Sequence, residues 1–120
     1  HAPHTIEDKE KDIIHAPCGM IGLESAFGLL STISIKEKIP IEKIIKCLTI
    51  NPASVLGIDY IPFAINQKAE LCVIDLECDW TFSESEIFSR SKNSPMIGMD
   101  FKGKVIGTIS GKNFFGFNFD

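Results

Sequence analysis

The 120 residues contain no C-x-x-C pair, no apolar run near the roughly 20 residues needed to span a bilayer, no internal repeat and no low-complexity tract. Without paired cysteines, Cys18, Cys47, Cys72 and Cys78 do not read as a zinc-binding framework or a disulfide scaffold. Cys72 and Cys78 flank the strand-like "VIDLE" and are expected on one face. At ~3.3 Å per residue they lie about 20 Å apart, too far to share an ion or a disulfide. Reduced thiols in a cytoplasmic protein are the expectation. No signal-peptide core opens the chain, so no membrane partner is expected. Positive charge is also scarce. The net charge is −4, with lysines dispersed among Asp and Glu, which argues against nucleic acid as a partner and leaves a small or acidic metabolite in play. An initiating Met is absent as well, so an upstream segment is expected.

What is present suits a globular domain: 44% apolar and 23% charged residues. A chain of this size buries about two-thirds of its unfolded surface. Residues 1–20 read as an irregular loop, interrupted by Pro3 and Pro17, with "EDKEKD" solvated. Residues 21–57 read as helix in three pieces. In "MIGLESAFGLLSTISI", Ile21, Phe27, Leu30 and Ile33 recur near helical spacing and are expected to be buried. In "PIEKIIKCLTI", Ile41, Ile44, Ile45 and Leu48 share a face and Pro40 suits the first turn. Asn51 is expected to cap the third piece, with Pro52 at its first position and Gly57 as its stop. Beyond Tyr60 the pattern turns to strand: "AELCVIDL", then "WTF", then "KVIGTIS". A two-residue turn at Gly111-Lys112 leads into "NFFGFNF". Trp80, Phe82 and Phe88 are expected to pack. Helices followed by antiparallel strands would suit α+β, yet the apolar "FFGFNFD" would leave an edge with nothing to pair against. Both halves suit a piece that completes something larger.

The opening "HAPHTIEDKE" places His1 and His4 around a stiffening Pro3. On spacing alone the two are surface histidines or a weak metal pair. The longer pattern says more. His1-Ala2-Pro3-His4-Thr5, Lys9, Ala16-Pro17-Cys18-Gly19 and Gly22-Leu23-Glu24 resemble the late active-site loop and following helix of dihydroorotases, in the cyclic amidohydrolase superfamily. "TINPASVLGI" resembles their Thr-x-Asn-Pro-Ala segment and "KAELCVIDL" their Ala-Asp-Leu strand. "SKNSPMIGMDFKGKVIGTISGK" is similar to their Ser-Arg-Asn-Thr-Pro-Phe loop and closing strands.

The resemblance implies an α/β protein: the C-terminal part of a (β/α)8 TIM-barrel amidohydrolase plus strands of a small composite β-sandwich domain. Residues 1–57 would supply the last active-site loop and outer helices of the barrel. Residues 58–120 would supply the C-terminal part of the composite β-domain. It also implies reversible interconversion of dihydroorotate and N-carbamoyl-L-aspartate in pyrimidine biosynthesis. Zinc would be bound by residues outside this chain, and the catalytic Asp would immediately precede His1. No catalytic or metal-binding residue is therefore expected within these 120 residues. A barrel takes about 250 residues, so the piece alone is expected to be inert, and its partner is the remainder of its own barrel. Substrate binding would fall to His4, on the substrate carboxylate, and to Cys18 and Gly19, through backbone that glycine lets approach closely. The family carries a larger residue at the position of Cys18. His15 and the "EDKEKD" run are expected at the surface, and Arg90 and Lys92 in salt bridges of the β-domain. Other readings are a non-catalytic paralogue that is a structural partner of aspartate transcarbamoylase, a hydantoinase or allantoinase relative, and a free-standing α+β binding module.

Overall fold

The computed structural model describes residues 1–59 and 64–116. A single helical turn, α1 (Ile6–Lys9), precedes α2 (Leu23–Lys36), α3 (Ile41–Leu48) and α4 (Ile50–Leu56). Three antiparallel strands follow in the order β1-β2-β3: β1 (Glu70–Thr81), β2 (Asp100–Ser110) and β3 (Asn113–Gly116). A short 3-10 turn, Glu84–Glu86, lies between β1 and β2. The described chain is thus an α/β segment built around a three-stranded antiparallel sheet. The segment 60–63 and the end of "FFGFNFD" at 117–120 lie outside the described residues.

Several local signals act as the sequence suggests. Ser110 pairs with Asn113 across the Gly111-Lys112 turn, where Gly111 takes φ +61°. Gly57 ends α4 at φ +64°. Its N–H donates to Ser54 O at 3.3 Å and the N–H of Ile58 to Ala53 O at 2.9 Å, the paired bonds of a Schellman stop. Lys38, at φ +54°, closes α2 in the same way, with the N–H of Ile39 donating to Ser34 O at 2.8 Å.

Other expectations are corrected. Residues 1–20 are not wholly irregular, because Thr5 Oγ1 accepts from the N–H of Asp8 at 3.2 Å and caps α1. Asn51 is not a cap. Thr49 holds that position, α4 already runs from Ile50, and Asn51 lies inside it with Nδ2 3.8 Å from Cys47 Sγ. Pro40 sits at the N-cap of α3 rather than within its first turn, and of the four expected apolar positions there only Ile44 is buried. "AELCVIDL" and "WT" form one continuous strand, β1. Register irregularities at Val73/Ile74 and Asp75/Asp79 break its alternation and put Cys72 and Cys78 in opposite phases of burial, so they do not share a face. All four cysteines are free. Lys102 bridges the second irregularity, donating to Glu77 O at 2.8 Å and Asp79 Oδ2 at 3.3 Å. The Asp79 carboxylate, and then Glu77, raise the Lys102 pKa above its ordinary value.

The largest departure concerns α2. Its buried stripe is Ser25, Gly28, Ser31 and Ser34, while Phe27 and Leu30 are half-buried and Ile33 is exposed. The reason is a close approach of helix to sheet. A Cβ on Gly28 would stand 2.8 Å from ring atoms of both Trp80 and Phe101, and one on Gly103 of β2 would stand 2.6 Å from Ser31 Oγ. Thr32 ties the layers further, donating to Gly28 O at 2.7 Å and accepting from the N–H of Lys102 at 2.8 Å. Beneath lies a core of Ile21, Phe82, Ile87 and Phe101, edged by Leu29, Trp80 and Met96. Phe88, expected to pack, is 84% exposed.

Gly28→Ala should therefore destabilise. A helical Gly→Ala change ordinarily gains about 0.5–1 kcal/mol, but overpacking costs about 1–3 kcal/mol, and two rings cannot both withdraw. A net loss of about 1–2 kcal/mol is expected in chemical denaturation. Gly22→Ala, whose Cβ would meet nothing within 4 Å, serves as the control.

Candidate functional site

Two loop segments, residues 1–5 and 16–19, converge at the start of α2. The N–H of Ala2 donates to Met20 O at 2.8 Å, and that of Gly22 to His1 Nδ1 at 3.3 Å. The His4 ring reaches the second segment, with Nε2 3.0 Å from Cys18 O. A carbonyl only accepts, so Nε2 carries the hydrogen. His4 can engage an anion by turning Nε2 away from Cys18 O, or as imidazolium through Nδ1. His4, Cys18 and Gly19, singled out in the sequence, are brought together. Cys18 meets His4 through its carbonyl rather than its thiol, so the contact activates no nucleophile.

Gly19 is required twice over. Its φ is +101°, a region hostile to L side chains, and an added Cβ would lie 2.6 Å from the Cβ of Ala2. The chain thus leaves bare main chain at Gly19, next in sequence to the Cys18 carbonyl that meets the His4 ring.

Three supports for this arrangement make contacts that the sequence does not disclose. Lys9, assigned to a solvated run, instead folds back from α1. Its Nζ donates to Pro17 O at 2.8 Å and Gly19 O at 2.6 Å. Asn93, from the loop before β2, donates from Nδ2 to Ala2 O at 3.0 Å, and its Oδ1 accepts from the N–H of His4 at 3.4 Å. Ser91 Oγ lies within hydrogen-bond reach of His4 O and Asn93 Oδ1. The remainder of the "EDKEKD" run is solvated as expected. Lys11 pairs with Asp8 and His15 with Asp12, each at 2.7 Å. The Lys11 hydrogen bond lowers the Asp8 pKa, and the His15 hydrogen bond lowers that of Asp12. Such exposed pairs add little to stability. Among the described residues Lys92 forms no salt bridge of the kind expected; its Nζ donates to Ile87 O at 2.7 Å and Glu84 O at 3.3 Å.

Among the described residues, no three His, Cys, Asp or Glu side chains gather as a metal site. A separate apolar groove of about 620 Å³ lies between α2 and the β2–β3 hairpin, lined by residues such as Phe27, Phe88 and Phe114. Lys104 sits there with Nζ 4.7 Å from the centre of the Trp80 ring and 3.0 Å from Glu86 Oε1. No described helix is long and apolar enough to cross a membrane.

No family model matches the chain. Among curated proteins it is similar to dihydroorotases. It is 39% identical to the dihydroorotase of Chlorobaculum tepidum over 108 residues, 89% of this chain and 25% of that one. It is 38% identical to that of Geobacillus sp. over 112 residues, 92% of this chain and 26% of the relative. It is 35% identical to that of Bacillus subtilis over 111 residues, again 92% and 26%. The chain therefore spans about a quarter of the length of the curated relatives it matches. Each of these relatives is a dihydroorotase, and what this chain is similar to is about a quarter of each.

Proposed function

We propose that these residues are the C-terminal portion of a dihydroorotase that interconverts dihydroorotate and N-carbamoyl-L-aspartate, and that they supply part of its substrate site. The observation that carries this reading is the meeting of His4 with Cys18 and Gly19, with His4 Nε2 3.0 Å from Cys18 O. In this reading His4 binds the substrate carboxylate, and the main chain at Cys18 and Gly19 lies against the ring or its opened form. Lys9 holds the carbonyls of Pro17 and Gly19 and so fixes that main chain. Residues 1–57 serve as the last active-site loop and outer helices of a (β/α)8 barrel, and 58–120 as strands of a composite β-domain. The exposed apolar side chains support a larger whole. Leu23, Ile35, Val55, Leu56, Phe114 and Phe115 are each more than half exposed in the segment alone, far more apolar surface than a free-standing domain of this size needs to leave in water.

The chemistry asks for an electrophile to polarise an unactivated amide carbonyl and for a base to move a proton between water and the ring nitrogen. The described residues do not assemble a metal cage. In the proposal zinc is held by residues outside the chain, and the proton-transferring Asp stands immediately before His1. The segment alone has no activity. In the cytoplasmic, full-length protein His4→Ala should raise KM for dihydroorotate by roughly thirtyfold, the equivalent of about 2 kcal/mol for a lost hydrogen bond to a charged group. Chromatographic assay of dihydroorotate hydrolysis checks both statements. A full-length protein that does not turn over dihydroorotate would overturn the reading.

A further inference from the structure

The structure assigns Asn93 a positioning role: one carboxamide from the β-domain loop sets the distance between the two loop segments that form the substrate site. This inference rests on the substrate-site reading above, which it deepens. Asn93 lies far along the chain from both segments, yet it touches each of them. Its Nδ2 donates to Ala2 O at 3.0 Å and reaches Gly19 O at 3.5 Å, while Oδ1 accepts from the N–H of His4 at 3.4 Å. Its own carbonyl accepts from the N–H of Ile21 at 3.3 Å, just past Gly19. The segment carrying His4 and the segment carrying Cys18 and Gly19 are thus both bonded to Asn93.

The residue type is dictated by this pattern. Donating to two carbonyls while accepting from an N–H requires a donor and an acceptor on one short planar group. A carboxylate has no donor, and a hydroxyl cannot span both partners. Ser91 Oγ lies against Asn93 Oδ1 and His4 O and helps to orient the amide. The loop itself is anchored at its other end. The N–H of Ser89 donates to Glu24 Oε1 at 2.9 Å, and Glu24 stands in the first turn of α2. Lys92 Nζ ties the same loop to Ile87 O at 2.7 Å. A support fixed at both ends is what holds a binding group within a fraction of an ångström of its productive place.

The test uses the full-length protein with Asn93→Ala, Asn93→Asp and the milder Ser91→Ala. Steady-state kinetics on dihydroorotate are measured with hydrogen exchange of peptides covering residues 1–5 and 18–22. Asn93→Ala should raise KM about tenfold, the scale of two or three lost hydrogen bonds net of solvation, with kcat changed less than about threefold. Both peptides should exchange faster. Asn93→Asp keeps the volume but sets a carboxylate against two carbonyls, so it should do at least as much harm as Ala. Ser91→Ala should shift KM in the same direction by a smaller factor, and it carries the test if the Asn93 variants do not fold. A residue that only fills space would tolerate Asp, and one that only supports the fold would reduce active enzyme at unchanged KM. Either result, or unchanged exchange in both peptides, overturns the inference. If the unsubstituted protein turns over no dihydroorotate while Asn93→Ala still loosens both peptides, the proposed function fails and the positioning role stands.

Discussion

Phe82→Ala is expected to cost about 3–5 kcal/mol of folding stability, measured on the protein that carries this segment by the urea midpoint at unchanged slope. Phe82 is 1% exposed, and its ring lies 5.9 Å from that of Trp80, edge-on, and 6.0 Å from that of Phe101. What makes the site costly is that it cannot collapse. The backbone of Phe82 is bonded on both sides, its N–H donating to Met99 O at 2.9 Å and its carbonyl accepting from Gly98 at 2.8 Å. The chain that would need to close on the cavity is held in place, so the upper part of the range applies. Against a total stability of about 5–15 kcal/mol, this is a large share. The cavity would also open beside Ile21, which packs in the same cluster and is hydrogen-bonded to Asn93. Loss of the ring should loosen the segments carrying His4 and Gly19 as well as the core. Gly22→Ala, in open space, should change stability in the same protein by no more than about 0.5 kcal/mol. A loss below about 1 kcal/mol for Phe82→Ala would mean that this cluster does not hold the two layers together.

The sequence disclosed those parts of the fold whose signals are local. Gly111 and Gly57 sit where a positive φ is needed, and both the hairpin and the end of α4 follow from them. Strand β1 was legible only as two pieces, because the irregularity between Asp75 and Asp79 interrupts the alternation that marks a strand. The buried face of α2 was misread for a different reason. Periodicity arguments weigh apolar size, whereas this interface selects small residues so that Trp80 and Phe101 can lie against the helix backbone. Large side chains such as Leu23 and Ile35 are left exposed in the segment. In the candidate site, the strings His-Ala-Pro-His and Ala-Pro-Cys-Gly pointed to His4, Cys18 and Gly19 through family resemblance, and the structure brings the three together. Lys9 and Asn93 stand in the strings that carry the resemblance, but their contacts were not legible. One sits in a charged run that looks solvated, and the other acts across most of the length of the chain, where no spacing rule reaches.

Gly19 offers the sharpest test of the site. Gly19→Val in the full-length protein should lower kcat/KM for dihydroorotate by at least about a hundredfold while leaving the core intact. Two independent penalties combine. A β-branched residue at φ +101° bears backbone strain of about 1–3 kcal/mol. Its Cβ would also stand 2.6 Å from that of Ala2, a separation no real pair adopts, so the two segments must part. Ala2 cannot yield cheaply, because its N–H is bonded to Met20 O at 2.8 Å and its carbonyl to Asn93 at 3.0 Å. The chain relieves the clash by turning the 16–19 loop instead, which pulls Gly19 O from Lys9 Nζ and Cys18 O from His4 Nε2. At 1.4 kcal/mol per decade, a combined penalty of about 3 kcal/mol corresponds to the stated hundredfold. Gly19→Ala should fall between the parent and valine, since it meets the same Cβ clash with less backbone strain. Gly22→Ala, in open space only three residues on, should retain nearly full activity. If Gly19→Val retained kcat/KM within about threefold, neither the approach of these two segments nor the backbone at Gly19 could be part of the substrate site.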